Sequence, residues 1–256
     1  MFFHFKKVTV SFYESEFIES IWRGVTPKTK VIFLSHITSA TGLIFPVEKI
    51  ISMAKQKKIM TIIDGAHVPA HIPLNIHKIN CDFYAGALHK WLCAPKGASF
   101  LYVKKEHQTW VKPLIYSWGK EGDDPGPSEF LQDFQWQGTR DMAAFLSIPS
   151  AIEFYHGYLE KNLKLCRKNI KYAFKNLELT LKTEPISNGG NWIAQMVSHP
   201  LPKSVPLDLK EILYNKHKIE IPIFMWRNRM FIRISMQVYN EKKEIDLLLS
   251  ALSGII

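Results

Sequence analysis

The sequence predicts an α/β fold with a largely parallel sheet, followed by a smaller α+β part. Three observations carry this. Short β-branched and aromatic runs alternate with helical patterns over the first 110 or so positions. From residue 141 the pattern turns helical and then mixed. With 256 residues, 46% apolar and 22% charged, the chain can build one large or two modest cores.

The elements follow in order. Residues 8–12 read as a strand, and residues 14–22 as a helix with Phe17, Ile18, Ile21 and Trp22 on one face. Residues 31–34 form a buried strand. Pro46 opens a helix carrying Val47, Ile50, Ile51 and Ala54, since proline is tolerated at the first helical position. Residues 59–63, 83–85 and 99–103 are further short strands. Residues 117–134 hold Gly119, Gly122, Pro125, Gly126 and Pro127 and read as a loop close to the site. Residues 141–176 are helical, broken near Gly157. A strand near 191–197, a helix near 208–217, strands near 220–224 and 230–235 and a helix from Glu241 complete the chain. The boundary falls near residue 155, dividing the chain into 1–155 and 156–256.

In open α/β sheets, ligands sit at the carboxyl ends of the strands. Two groups fall there. Thr61-Ile62-Ile63-Asp64-Gly65-Ala66-His67 is a buried run ending in a carboxylate, and Phe83-Tyr84-Ala85-Gly86-Ala87-Leu88-His89-Lys90-Trp91 ends in a lysine. Taken singly, each is usually a turn former or a surface charge. Together they are what pyridoxal phosphate needs: an amine for its aldehyde, and an aspartate that keeps the ring nitrogen protonated so the ring can accept electrons. Trp91 and Leu92 make the lysine site partly buried, and a buried amine is costly unless paired or used.

Other chemistries find less support. His67 and His71 have metal-ligand spacing beside Asp64, but Pro69 and Pro73 oppose the helix that would align them. Neither a Gly-x-Ser-x-Gly elbow nor a Gly-x-Gly-x-x-Gly turn occurs. The net charge of +10 raises a nucleic-acid reading. The lysines are dispersed, however, and those from Lys161 to Lys175 fit a solvated helix face, so no nucleic-acid partner is expected. Such a field favours an anionic phosphate and carboxylate substrates. Cys81, Cys93 and Cys166 form no Cys-x-x-Cys pair, which fits a reducing cytoplasm. Cys81 and Cys93 read as packing residues. The apolar run at the start is too short for a signal peptide, and that at the end too short to span a bilayer, so no membrane partner is expected.

The run Val31 to Gly42, then Phe45-Pro46-Val47, Asp64-Gly65-Ala66-His67 and His89-Lys90-Trp91 resembles the class V aminotransferase family, in its isopenicillin N epimerase-like branch. Trp136-Gln137-Gly138-Thr139-Arg140-Asp141 and Ile232 to Asn240 agree, so the resemblance runs through nearly the whole chain. It implies a partial fold type I, aspartate aminotransferase-like large domain and a small C-terminal domain. It also implies pyridoxal 5'-phosphate as cofactor, an amino-acid substrate and a homodimer. Lys90 becomes the Schiff-base lysine and the group that moves the α-proton. Asp64 binds the pyridine nitrogen, His67 lies near the ring hydroxyl and His89 beside the phosphate. Thr139 binds the phosphate of the partner subunit, and Arg233 holds the substrate carboxylate.

Ser39 stands where the family usually carries Asn near the ring hydroxyl or substrate, and Ala87 where it carries Ser or Asn. The family's phosphate-binding turn and ring-stacking residue have no counterpart before Met1. Two readings follow: a PLP enzyme acting at the α-carbon by epimerisation, transamination or elimination, or a catalytically silent remnant of one. Cysteine desulfurase is the less favoured relative, because no cysteine follows Cys166 to take the sulfur.

Overall fold

The computed structural model describes residues 13–120, 126–135 and 137–256. The strand expected at 8–12 lies outside them. Helix α1 (Glu14–Trp22) comes first, then strand β1 (Val31–Ser35), α2 (Val47–Gln56), β2 (Met60–Asp64), the short α3 (Ile76–Ile79), β3 (Phe83–Ala87) and β4 (Ser99–Val103). These strands form one sheet in the order β1-β2-β3-β4. β1, β2 and β3 are parallel, with Ser35, Asp64 and Ala85 side by side. β4 runs antiparallel to β3, because residues 88–98 are too few for a crossover to a parallel neighbour. The sheet is thus mostly parallel, as expected.

The second part contains α4 (Glu129–Gln135), α5 (Ala143–Leu146), α6 (Ile148–Phe154), α7 (Leu163–Leu181), β5 (Met196–Pro200), α8 (Leu209–His217), β6 (Ile223–Trp226), β7 (Arg229–Ser235) and α9 (Lys242–Ile255). Its strands form an antiparallel sheet in the order β5-β7-β6. The expected break near Gly157 is a π-turn, Tyr155–Leu159. The expected loop at 117–134 contains α4. Ser128 caps it by accepting the Leu131 N–H at 3.2 Å, a start signal hidden behind the glycines and prolines upstream. α9 begins with a capping box between Glu241 and Glu244.

Amphipathic periodicity places the core. α7 buries Leu163, Cys166, Ile170, Ala173, Leu177 and Leu181, while Lys164, Lys168, Lys171 and Lys175 face solvent. The largest apolar cluster joins Phe17, Ile32 and Ile50 to Ile170, Leu213, Ile232 and Leu248, so it crosses the expected boundary near residue 155. A second cluster around Ile63, Val68, Tyr84 and Trp91 underlies the carboxyl ends of β2 and β3. Cys81 packs there as expected. Cys93 does not: it is exposed, in a left-handed turn with φ 63°, because the tight loop after Lys90 turns it outward. Among the described residues, no helix is long and apolar enough to cross a membrane.

Candidate active site

β2 delivers Asp64 at its last position. The carboxylate is oriented from two sides: Ser35 Oγ donates to Oδ2 at 3.3 Å and the Ala66 N–H to Oδ1 at 2.9 Å. The chain can pass this close to β3 because residue 65 is glycine; a Cβ on Gly65 would lie 2.2 Å from the Tyr84 ring. Tyr84 is buried, and its hydroxyl is 3.0 Å from Nδ1 of the buried His36. Burial pulls the His36 pKa down to about 4, so that imidazole is neutral at pH 7.

The β3–β4 loop carries Lys90. It is closed by backbone bonds from the Leu88 N–H to the Ala98 carbonyl and from the Ala94 N–H to the Leu88 carbonyl. Trp91 and Leu92 are 8% and 7% exposed and anchor it, as their sequence position implies. Lys90 Nζ reaches out to 3.2 Å from His67 Nε2. Burial lowers the Lys90 pKa and Arg233 lowers it further, while Asp64 opposes the shift. His89 lies beside it with Nδ1 3.2 Å from the Ala98 carbonyl, to which it donates.

His67 is half-buried between Lys90 and Trp91, whose indole N–H donates to His67 Nδ1 at 3.3 Å. Burial, then Lys90 and Arg233, hold the His67 pKa at about 4. His71 is fully buried and has both ring nitrogens engaged. Its Nδ1 donates to the His67 carbonyl at 2.9 Å, and its Nε2 accepts the Gln195 N–H at 2.9 Å. These two bonds account for its position without a metal.

Arg233 comes from β7 in the other sheet. Its Nη1 donates to the Ser39 carbonyl at 2.7 Å and to Ser39 Oγ at 3.2 Å. Its Nε is buried with no partner among the described residues, an orphan donor there. No carboxylate among the described residues pairs with it, and burial lowers its pKa. Five of the residues singled out in the sequence therefore lie in one connected group: Ser39 and Arg233 touch each other, Lys90 touches His67, and Asp64 and Arg233 act on both by charge.

Thr139 is exposed and its side chain makes no hydrogen bond among the described residues. Its neighbours Gln137 and Arg140 line a cleft of about 1410 Å³ that runs along β3 past Ala66, Ala87, Trp118, Phe130 and Phe134. Ala66 in its lining is two residues after Asp64, and Ala87 is three before Lys90. Sequence reasoning missed the supports: Tyr84, Gln195 and Gln237, with Trp91 and His71 recognised only as bulk or as a metal alternative. The available signal was their burial as polar groups, which demands partners.

The chain matches the aminotransferase class-V family over residues 7–248. The isopenicillin N epimerase of Amycolatopsis lactamdurans is 29% identical over 258 residues, covering 94% of this chain and 63% of the relative. That of Streptomyces clavuligerus is 31% identical over 247 residues, covering 90% of this chain and 61% of the relative. Among solved structures, a cystine C-S lyase, C-DES, in complex with its reaction product cysteine persulfide, superposes with a TM-score of 0.79 at 19% identity, covering 93% of this chain and 64% of that one. This likeness bears on the fold alone. The chain spans just over three-fifths of the length of the two epimerases.

Proposed function

We propose, from the premise that this chain belongs to the aminotransferase class-V family, that it holds pyridoxal 5'-phosphate on Lys90 and acts at the α-carbon of an amino acid. One observation carries the reading: an amine with a lowered pKa meets a neutral imidazole, next to a strand-end carboxylate and an arginine with an orphan buried N–H. These donor types suit the cofactor. Asp64, already oriented by Ser35 and Ala66, would accept from a protonated ring nitrogen. His67 would lie at the ring hydroxyl. His89, when protonated, has Nε2–H free for a phosphate, since Nδ1 is occupied.

When bound, the pyridinium ring supplies an electron sink for the charge left on the α-carbon. Lys90 removes the α-proton and returns it. Arg233 holds the substrate carboxylate, and its planar fork suits that group better than a point charge. Lys90 returning the proton to the same face would retain the configuration; inversion would require the proton to arrive on the opposite face from a second acid or from solvent. Epimerisation is the outcome we favour, because both epimerases are related across nine-tenths of this chain. We further propose a two-fold homodimer, in which Thr139 reaches the phosphate held by the partner, and a cytoplasmic location.

Titration with pyridoxal phosphate should produce a visible absorption band, and borohydride should then fix the cofactor on the peptide containing Lys90. No band at saturating cofactor, or a tag on another lysine, would defeat the reading. Deuterium exchange from solvent into the α-position of amino acids tests the chemistry. A tagged Lys90 with no exchange would leave a chain that binds the cofactor without turnover. Sedimentation showing a monomer with full cofactor binding would defeat the role given to Thr139.

A further inference from the structure

Trp91, His67 and Lys90 form a row of side chains whose hydrogen-bond directions are fixed from one end. An indole N–H can only donate, and that of Trp91 donates to His67 Nδ1 at 3.3 Å. Burial, the leading cause, and the Arg233 charge keep the His67 pKa well below its ordinary value, so His67 is neutral at pH 7 whether or not Lys90 is charged. A neutral imidazole carries one proton. With Nδ1 accepting, that proton sits on Nε2, the atom 3.2 Å from Lys90 Nζ. Nε2–H can donate only to a lone pair, and lysine has one only when uncharged. An ammonium at the same place would set N–H against N–H.

We propose that Trp91 is a positioning residue: its indole N–H fixes His67 in the Nε2–H tautomer, and that tautomer selects the uncharged, nucleophilic form of Lys90. The inference rests on the reading of Lys90 as the cofactor-binding lysine, and it gives a reason for tryptophan at the following position beyond burial.

Trp91 is held firmly enough for this role. Its side chain lies against the His71 ring at 4.2 Å between centroids, and its carbonyl accepts from Gln237 Nε2 at 3.2 Å. His71 in turn grips the His67 carbonyl. The indole and the imidazole are therefore placed relative to each other by His71 and by Gln237 in the turn after β7, not only by their own loops. The charged groups around the row act in known directions. Asp64 favours the ammonium, Arg233 opposes it, and His71 stays neutral with its pKa near 3 through burial. The Trp91–His67 bond therefore adds to Arg233 against Asp64.

The test uses the full chain without cofactor. Long-range proton–nitrogen NMR of the histidine-labelled protein reads the His67 tautomer, with His67→Gln identifying its signals. The Nε2–H pattern is expected; the Nδ1–H pattern in the unaltered protein would overturn the proposal. The pH profile of Lys90 acylation, followed by peptide mass, reads its free-amine fraction. Trp91→Phe keeps the ring and deletes the N–H. It should let His67 change tautomer and raise the Lys90 midpoint by ~1 pH unit, the equivalent of one net hydrogen bond. An unchanged midpoint would also overturn it. If Trp91→Phe does not fold, the spectrum of the unaltered protein still decides. Neither readout involves pyridoxal phosphate, so a missing borohydride tag would defeat the cofactor reading while these measurements judge the tautomer on their own.

Discussion

Among the described residues, Arg233 is held by Ser39 through Nη1 alone, which leaves the rest of its fork to the proposed ligand. Arg233→Lys keeps the charge and loses the planar second donor. It should weaken amino-acid binding by ~10- to 100-fold, the worth of one charge-assisted bond of about 1.5–3 kcal/mol, and leave the cofactor band intact. Substrate titration of the holoenzyme band measures both at once; a lost band would mean that Arg233 serves the cofactor. Asp64 and Lys90 were singled out in the sequence by residue type after short strands, and His67 through the resemblance; the structure brings the three together, and their roles belong to the proposed reading. The residues that orient them were not legible in this way. Gln237 meets Trp91 across 146 positions and Gln195 meets His71 across 124, and no local pattern encodes such distant partners. Thr139 was singled out only through resemblance, and among the described residues its side chain makes no hydrogen bond.

Two glycines allow the sheet to approach its own turns. A Cβ on Gly65 would strike the Tyr84 ring at 2.2 Å, and one on Gly86 would meet the Phe100 ring at 2.3 Å. Neither backbone has positive φ, so the obstacle is space rather than conformation. Gly65→Ala and Gly86→Ala should each destabilise by about 1–3 kcal/mol through overpacking. Gly157, in the helical stretch after α6, meets nothing within 4 Å, so Gly157→Ala should be neutral or slightly stabilising. Urea midpoints compare the three; equal effects would show that helix propensity or general fragility dominates, not contact with these rings. At this scale the sequence was most readable where one signal acted alone. The bounds of α1 and β4 match their periodic runs, whereas α4 was hidden by neighbouring prolines and glycines. The antiparallel direction of β4 follows from loop length and pairing, which apolar alternation does not reveal.

Over the whole molecule, the two sheets share one apolar cluster and are also joined through a buried neutral histidine, His71, one of three such rings among the described residues. His36, His71 and His199 are 7%, 0% and 0% exposed, and burial, the leading cause in each, holds their pKa values at about 4, 3 and 4. His71 links the turn after β2 to Gln195 before β5, and His199 on β5 hydrogen-bonds Thr183. Unfolded, each imidazole would titrate near 6.5. Above that value both states are neutral and these groups make no pH-dependent difference. As the pH falls below it, the unfolded chain takes up protons that the folded chain refuses, so stability declines until the folded values near 4 are reached. The slope is on the order of 1.4 kcal/mol per pH unit for each histidine. The carboxylates, with ordinary values near 4 or below, contribute mainly under this window, so a fall between about pH 6.5 and 4.5 belongs to the imidazoles. Urea unfolding through that range should show a falling midpoint, and His199→Gln, which removes one titrating group while keeping a polar side chain toward Thr183, should flatten the decline by about one proton's worth. A midpoint independent of pH there would mean that these rings are protonated in the folded chain, and the bonds in which His71 Nε2 accepts from Gln195 and His36 stays neutral beside Tyr84 could not then stand as drawn.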